Sequence, residues 1–215
     1  MQKQECRPIQ VDLIRTAAVL GVLLLHSAND LTTQTMSDLE IWRWITVDIY
    51  QSIGRMGVPL FVMLTGALLL APGKQNEPLG VFFKKRFSRI GLPFLFWGVL
   101  YFIWDFYVEN QPFTQAFLIK SVLSGPYFTF WYLFMLTGLY LVTPLLRVMV
   151  ANASQKLMKY FITIWFIGTA LVPLIPFLTS GAFSSTAYYL DSNVFVIPSY
   201  VGYFVLGAYL VNVKV

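Results

Sequence analysis

Six long apolar runs are the feature of this sequence that most restricts the folds open to it. A helix needs about 20 apolar residues to cross the ~30 Å hydrocarbon core of a bilayer, and inside that core the backbone must hydrogen-bond to itself. The sequence therefore predicts an all-α polytopic transmembrane bundle of about six spans, forming a single domain over 1–215. The predicted spans cover 11–31, 44–70, 87–107, 128–150, 158–178 and 194–212.

The composition excludes an ordinary soluble domain. Hydrophobic residues make up 57% of the chain and charged residues 12%, whereas soluble domains carry about 25% charged residues. The end of the first apolar run lacks the paired small residues of a signal-peptide cleavage site, so we expect this helix to be retained. A single cysteine, Cys6, excludes an internal disulfide.

The basic residues predict the orientation of the chain. If the N-terminus lies inside, twelve of the fifteen Lys and Arg residues fall on inner segments, as the positive-inside rule requires. The net charge of +5 therefore reflects topology, and we expect no nucleic-acid partner. The predicted location is the cell membrane (the cytoplasmic or inner membrane), which the chain crosses several times. The chain ends soon after the sixth run, so we expect either a compact six-helix protein or the front part of a longer one.

Two ionisable side chains in the first predicted span, Arg15 and His26, are candidates for function. They are eleven residues apart, which places them on one helix face and about 16 Å apart along the axis. An ionisable group at membrane depth costs roughly 2.5–3.5 kcal/mol, so such groups usually line a cavity. An imidazole can act as a general base near neutral pH, and Asp30, one turn further on, can hold its tautomer.

Structural explanations for the same residues stay open. His26, the only histidine in the chain, can instead bond to a neighbouring helix. Arg15 can extend toward the headgroups and pair with Asp12, or it can face an inner vestibule. A single histidine also argues against a histidine-rich metal centre, so no metal is expected.

A basic cluster precedes the third predicted span. Arg86 and Arg89 are three residues apart and face the same way, and guanidinium forks suit phosphate oxygens. The cluster can therefore hold a phosphorylated ligand, although such clusters are also ordinary topology signals that contact anionic lipid. The preceding residues predict a turn at Pro72-Gly73 and then an amphipathic helical turn that runs into the span.

The second predicted span carries a polar stripe. Asp48, Gln51, Ser52 and Arg55 follow one another at helical spacings, so they face an external polar substrate or form a seam with another helix. Pro59 predicts a kink in this span.

Small and aromatic residues indicate packing. Ala17 and Gly21, four residues apart, predict the close approach of another helix. We interpret most of the six Trp residues as belt or packing residues of the spans. The sequence holds no phosphate-binding glycine loop, no paired-cysteine metal motif and no nucleophile elbow.

The order of several motifs resembles the acyltransferase 3 membrane proteins. DLIRTAA (12–18) leading to His26 resembles their first helix, and GVPLFVMLTG (57–66) resembles their second-helix signature, with Thr-Gly where Ser-Gly is usual. The run from Arg86 to Arg89, followed by Ile90 and Pro93, is similar to their R-x-x-R motif. FWYL (130–133) and YFVLG (203–207) fit later helices, so the resemblance covers nearly the whole chain.

This resemblance implies an enzyme that moves an acyl group, often acetyl, from cytoplasmic acyl-CoA to a hydroxyl of a carbohydrate or lipid-linked glycan at the outer side. Within the family, the chain resembles the surface-polysaccharide O-acetyltransferases. Family members have several more spans, so we expect this chain to cover the N-terminal six or so. By this resemblance His26 is the candidate catalytic residue, and Arg15, Arg86 and Arg89 are the candidates for acyl-CoA (acetyl-CoA). The spacing alone adds Asp30 for catalysis and Asp48 and Arg55 for the acceptor.

Two other functions remain open at this stage. The polar stripes can line the pathway of a small-solute transporter. The chain can also be an inactive, truncated protein that only binds partners or lipid.

Overall fold

The computed structural model describes residues 9–32, 41–109, 114, 130–170 and 193–212. In this part of the chain every regular element is helical, which confirms the all-α prediction. The elements are α1 (Ile9–Thr32), α2 (Ile41–Gly54), α3 (Gly57–Leu69), a short 3₁₀ turn (Lys74–Asn76), α4 (Leu79–Tyr107), α5 (Trp131–Asn152), α6 (Gln155–Ala170) and α7 (Asn193–Asn212).

Four helical segments of the described chain are long and apolar enough to cross a membrane. They are Ile9–Ser27, Ile41–Leu69, Leu79–Tyr107 and Trp131–Asn152, and they match the first four predicted spans. The fifth predicted span is helical over Gln155–Ala170, and its residues 171–178 lie outside the described chain. The sixth predicted span coincides with α7, whose apolar part is the shorter Ser199–Val211. That the fifth and sixth segments cross the membrane therefore stays a prediction.

The second span is two helices rather than one kinked helix. α2 ends at Gly54, a turn holds Arg55 and Met56, and α3 starts at Gly57. Pro59 accounts for the position of the break, because a proline cannot donate the N–H that would bond to the carbonyl four residues earlier, on Arg55. In the first turn of α3 that missing N–H is tolerated, since the first four N–H groups of a helix have no partner within it.

One compact unit of the structure contains α1, α2, α3 and the C-terminal part of α7. α1 packs against both α2 and α3, with the side chain of Ala18 fully buried. A Cβ on Gly57 would lie 2.7 Å from the Ala18 carbonyl oxygen, and one on Gly21 would lie 3.3 Å from the Gly57 Cα. The predicted close approach at Gly21 is therefore confirmed, but Ala17 is exposed, and the neighbouring Ala18 faces the contact.

The same unit joins α3 to α7 through two further glycines. A Cβ on Gly66 would overlap the backbone of Phe204, and a Cβ on Gly207 would overlap the backbone of Met63. Phe204 is fully buried at this contact. The two backbones thus pack directly against each other, as small residues allow in membrane helices.

The other unit covers Pro72–Val201. Gly73 has φ +84°, the left-handed conformation that favours glycine, so the predicted turn at Pro72-Gly73 is confirmed. α4 begins at Leu79, well before the apolar run, so the predicted amphipathic turn is its first part. α4 packs against α5 through aromatic edge-to-face contacts, with the Phe94 ring centroid 5.4 Å from Phe130 and 5.7 Å from Phe134.

Candidate functional site

The candidate residues fall into two sets that belong to different units. Arg15, His26, Asp30, Asp48 and Arg55 lie in the unit built on α1, α2 and α3. Arg86 and Arg89 lie in the unit that contains α4 and α5. Each set is therefore described within its own unit.

Arg15 makes an ion pair within α1. Its Nη1 lies 3.0 Å from Oδ1 of Asp12, one turn earlier, and the two side chains are 38% and 55% exposed. The predicted pairing of Arg15 with Asp12 is confirmed. Such an exposed pair contributes little to stability.

His26 lies on the exposed surface of the described chain, on the same helix as Arg15. Because α1 is continuous from Ile9 to Thr32, the eleven-residue spacing keeps the two side chains near one face of the helix. Asp30 follows one turn later within α1, and its side chain lies outside the described side chains. The common face of Arg15 and His26 thus follows from the helix, whereas the role of Asp30 stays a prediction.

The four residues of the polar stripe in the second span differ in their exposure. Gln51 is buried, 8% exposed, whereas Asp48, Ser52 and Arg55 are exposed. Arg55 lies in the turn after α2, beyond the last helical residue. A polar seam with another helix therefore fits Gln51 alone, and the exposed Asp48 and Arg55 remain candidates for contact with a polar ligand.

Arg86 is the partly buried member of the basic cluster on α4. Its guanidinium carbon lies 5.6 Å from the ring centroid of Phe82, within the range of a cation–π interaction. Its Nε is buried and has no hydrogen-bond partner among the described residues. Arg89 is exposed one turn further along the helix.

Two residues that the sequence analysis did not single out complete this cluster. Arg147 of α5 is 4% exposed, and its Nη2 donates to Oε2 of Glu77 at 3.0 Å. The other oxygen of that carboxylate, Oε1, accepts a hydrogen bond from Nζ of Lys85 at 3.3 Å. Glu77 thus bridges two of the cations, one on each helix.

The carboxyl of Glu77 is held in its charged form by these contacts. Burial raises the pKa of Glu77, but the hydrogen bonds from Arg147 and Lys85 outweigh it, so that the pKa falls below its usual value of 4.5. We use the name α4–α5 charge cluster for Glu77, Lys85, Arg86, Arg147 and Phe82, whose ring lies near both arginines.

A signal for this cluster was present in the sequence. Glu77 is the only acidic residue between Asp48 and Asp105, and it lies in the most basic stretch of the chain. Arg147 is an ionisable residue inside a predicted span, and such residues usually have a function. The sequence did not reveal that these two residues, 70 positions apart, are partners.

Further along α4, an open cavity of about 270 Å³ lies beside the α4–α5 contact and is lined mostly by aromatic rings. Its lining residues are Trp97, Tyr101, Phe130 and Leu133. Among the described residues, no three His, Cys, Asp or Glu side chains come together in a way that could hold a metal ion.

Comparison with known proteins gives two matches. The acyltransferase 3 family model, described as an acyltransferase domain, matches residues 9–214. The succinoglycan biosynthesis protein ExoH of Rhizobium meliloti (strain 1021) is 22% identical over 118 residues. That match covers 54% of this chain and about a third (32%) of the length of the curated relative. No solved structure matches the chain significantly.

Proposed function

This chain belongs to the acyltransferase 3 family, and from that premise we propose that it is a membrane O-acyltransferase. It takes an acyl group, acetyl in the simplest case, from acyl-CoA on the cytoplasmic side of the cell membrane. It transfers this group to a hydroxyl of a surface carbohydrate or a lipid-linked glycan. The similarity to a succinoglycan biosynthesis protein supports a polysaccharide as the acceptor class.

The main support for acyl-CoA as the acyl donor is that Arg86 and Arg89 lack anionic partners among the described residues. Among the described residues neither arginine makes an ion pair, and the buried Nε of Arg86 lacks an acceptor. A buried donor without a partner costs free energy, so an incoming anion that supplies an oxygen is favoured there. The phosphates of coenzyme A have the charge and the oxygen geometry that guanidinium groups bind.

We assign the proton transfer to His26. Its imidazole takes the proton of the acceptor hydroxyl, whose oxygen attacks the thioester carbonyl carbon. The new C–O bond forms, the C–S bond breaks, and the imidazolium returns the proton to the departing thiolate. The products are the acylated acceptor and free coenzyme A, and His26 regains its neutral form.

The remaining candidates have supporting roles in this proposal. Asp30 holds the tautomer of His26, and Arg15 contributes a further cation for the phosphates of the donor. Asp48 and Arg55, both exposed, supply an acceptor and a donor of hydrogen bonds for the hydroxyls of a carbohydrate.

The test is transfer of radiolabelled acetyl from acetyl-CoA to membrane glycan by membranes that contain the chain. We expect His26→Ala to abolish the transfer. Ser27→Ala is the matched control, because Ser27 is an exposed neighbour whose hydroxyl donates to the Leu24 carbonyl within α1. Equal rates in the His26→Ala and unmodified chains would exclude His26 as the base. Uptake of a solute by vesicles, with no acyl transfer, would instead favour a transporter.

A further inference from the structure

We propose that the Glu77–Arg147 pair is a positioning device that holds Arg86 in place for the acyl donor. This inference rests on the proposed function, since it assigns a role to residues that support the donor-binding arginines. Neither Glu77 nor Arg147 belongs to the R-x-x-R motif, and neither is required to touch the donor.

The Phe82 ring is the physical link between the pair and Arg86. Phe82 is fully buried, and the guanidinium carbons of Arg147 and Arg86 lie 4.6 Å and 5.6 Å from its centroid. Two cations that share one ring repel each other at close range unless a negative charge compensates one of them. The Glu77 carboxylate, 3.0 Å from Arg147, supplies that charge.

The pair also decides which cations of the cluster are neutralised. Glu77 bonds to Arg147 and Lys85, so their charges are satisfied within the protein. Arg86 and Arg89, as described, have no such carboxylate and stay available for an anion. Glu77 thus neutralises Lys85 and Arg147 and leaves Arg86 and Arg89 to bind an anion.

The arrangement also ties three separate segments together. Glu77 follows the 3₁₀ turn, Phe82 and Arg86 are on the first turns of α4, and Arg147 is on α5. The edge-to-face contact of Phe82 with Tyr140, with centroids 6.3 Å apart, adds a second link between the two helices. The Phe82 ring on which Arg86 lies is therefore held by contacts from α5 as well as by α4.

The variant Glu77→Gln distinguishes a role of Glu77 in positioning Arg86 from a purely electrostatic effect of its charge on coenzyme A binding. The substitution removes a negative charge beside the arginines, so an electrostatic role alone predicts tighter binding of coenzyme A. A positioning role predicts weaker binding, because Arg147 loses its charged partner and competes with Arg86 for the ring. We expect binding of radiolabelled coenzyme A to the purified full chain to weaken about tenfold, whereas Glu109→Gln, an exposed acid after α4, leaves it unchanged.

The exchanged pair, Glu77→Arg with Arg147→Glu, keeps the net charge and the ion pair. We expect it to recover part of the lost binding, while Arg147→Glu alone does not. Arg147→Lys, which keeps the charge but loses the planar fork, is expected to fold and to bind coenzyme A more weakly. Unchanged or tighter binding in Glu77→Gln, or no recovery in the exchanged pair, would overturn the proposal.

A second measurement keeps this inference separate from the proposed function. Phenylglyoxal modifies accessible arginines, and mass spectrometry of the digested protein gives the rate at Arg86. We expect Glu77→Gln to raise that rate severalfold, because Arg86 is released from the ring. If the unmodified chain binds no coenzyme A, the proposed donor is wrong. If Glu77→Gln leaves the rate of phenylglyoxal modification at Arg86 unchanged, the positioning role is wrong, whatever the donor is.

Discussion

Nη2 of Arg147 lies 3.0 Å from Oε2 of Glu77, although 70 residues of sequence separate them. The contact fastens α5 to the turn that starts α4, and the arginine is almost completely buried. A buried arginine requires a charged, hydrogen-bonded partner, since desolvation of an unpaired charge is costly. The pairing therefore removes the cost of an unpaired buried charge in the unit in which the basic motif of α4 lies.

Removal of one partner of this pair should strongly destabilise the protein. We expect Arg147→Ala to lower the free energy of unfolding by roughly 3–5 kcal/mol, since the cost of breaking a buried pair includes the partner that is left behind. The measurement is thermal unfolding of the purified chain in detergent. Arg15→Ala is the comparison, because its exposed pair with Asp12 is worth only about 0.3–0.5 kcal/mol. Equal losses in the two variants would contradict the buried character of Arg147.

The same pair predicts how stability depends on pH. The pKa of Glu77 is depressed in the folded chain, so Glu77 adds stability above its unfolded value of 4.5 and loses this contribution as the pH falls through the folded value. We expect the unfolding temperature to drop more steeply below about pH 4.5 in the unmodified chain than in Glu77→Gln. If the unfolding temperature falls with pH in the same way in both proteins, the Glu77 carboxyl does not cause the loss of stability in acid.

Loss of the two motif arginines should affect the donor and not the assembly. We expect Arg86→Ala and Arg89→Ala to weaken binding of coenzyme A by about tenfold or more, the effect of losing a charge-assisted hydrogen bond of ~1.5–3 kcal/mol. Membrane insertion, measured by the yield of the chain in washed membranes, should be unchanged. Lys156→Ala, at the exposed start of α6, is the control for general loss of positive charge. Normal binding with reduced insertion would make the motif a topology signal.

The glycine contact between α1 and α3 should not tolerate a side chain. A Cβ on Gly57 would lie 2.7 Å from the Ala18 carbonyl oxygen and 2.9 Å from the Val22 nitrogen, so one of the two backbones must move. We expect Gly57→Ala to destabilise the chain by roughly 1–3 kcal/mol, the usual cost of overpacking. Gly98→Ala, in the open middle of α4, should be neutral or stabilising by up to ~1 kcal/mol, as alanine favours a helix. Thermal unfolding of both variants distinguishes a tight contact from a general effect of glycine replacement.

Local features of the candidate site could be predicted well from the sequence. Arg15 pairs with Asp12 because three residues bring two side chains together on any helix, and the basic motif lies in the first turns of α4 as its pattern indicated. The predicted contact at Ala17 was wrong by one residue, because one position rotates a side chain by about 100° around the helix and so to another neighbour. Roles for His26, Asp30, Asp48 and Arg55 stay predictions.

The sequence by itself determined where the first four membrane-crossing helices lie and that Pro59 disturbs the second of them, although it predicted a kink where the structure has a break. Hydropathy, helical periodicity and the missing N–H of Pro59 act within a few turns of one segment, so they can be read without knowledge of neighbours. Only the tertiary structure decided that Glu77 neutralises Arg147 and Lys85 rather than Arg86 or Arg89. That choice depends on which side of α5 packs against α4, and it arises from contacts between segments far apart in the chain.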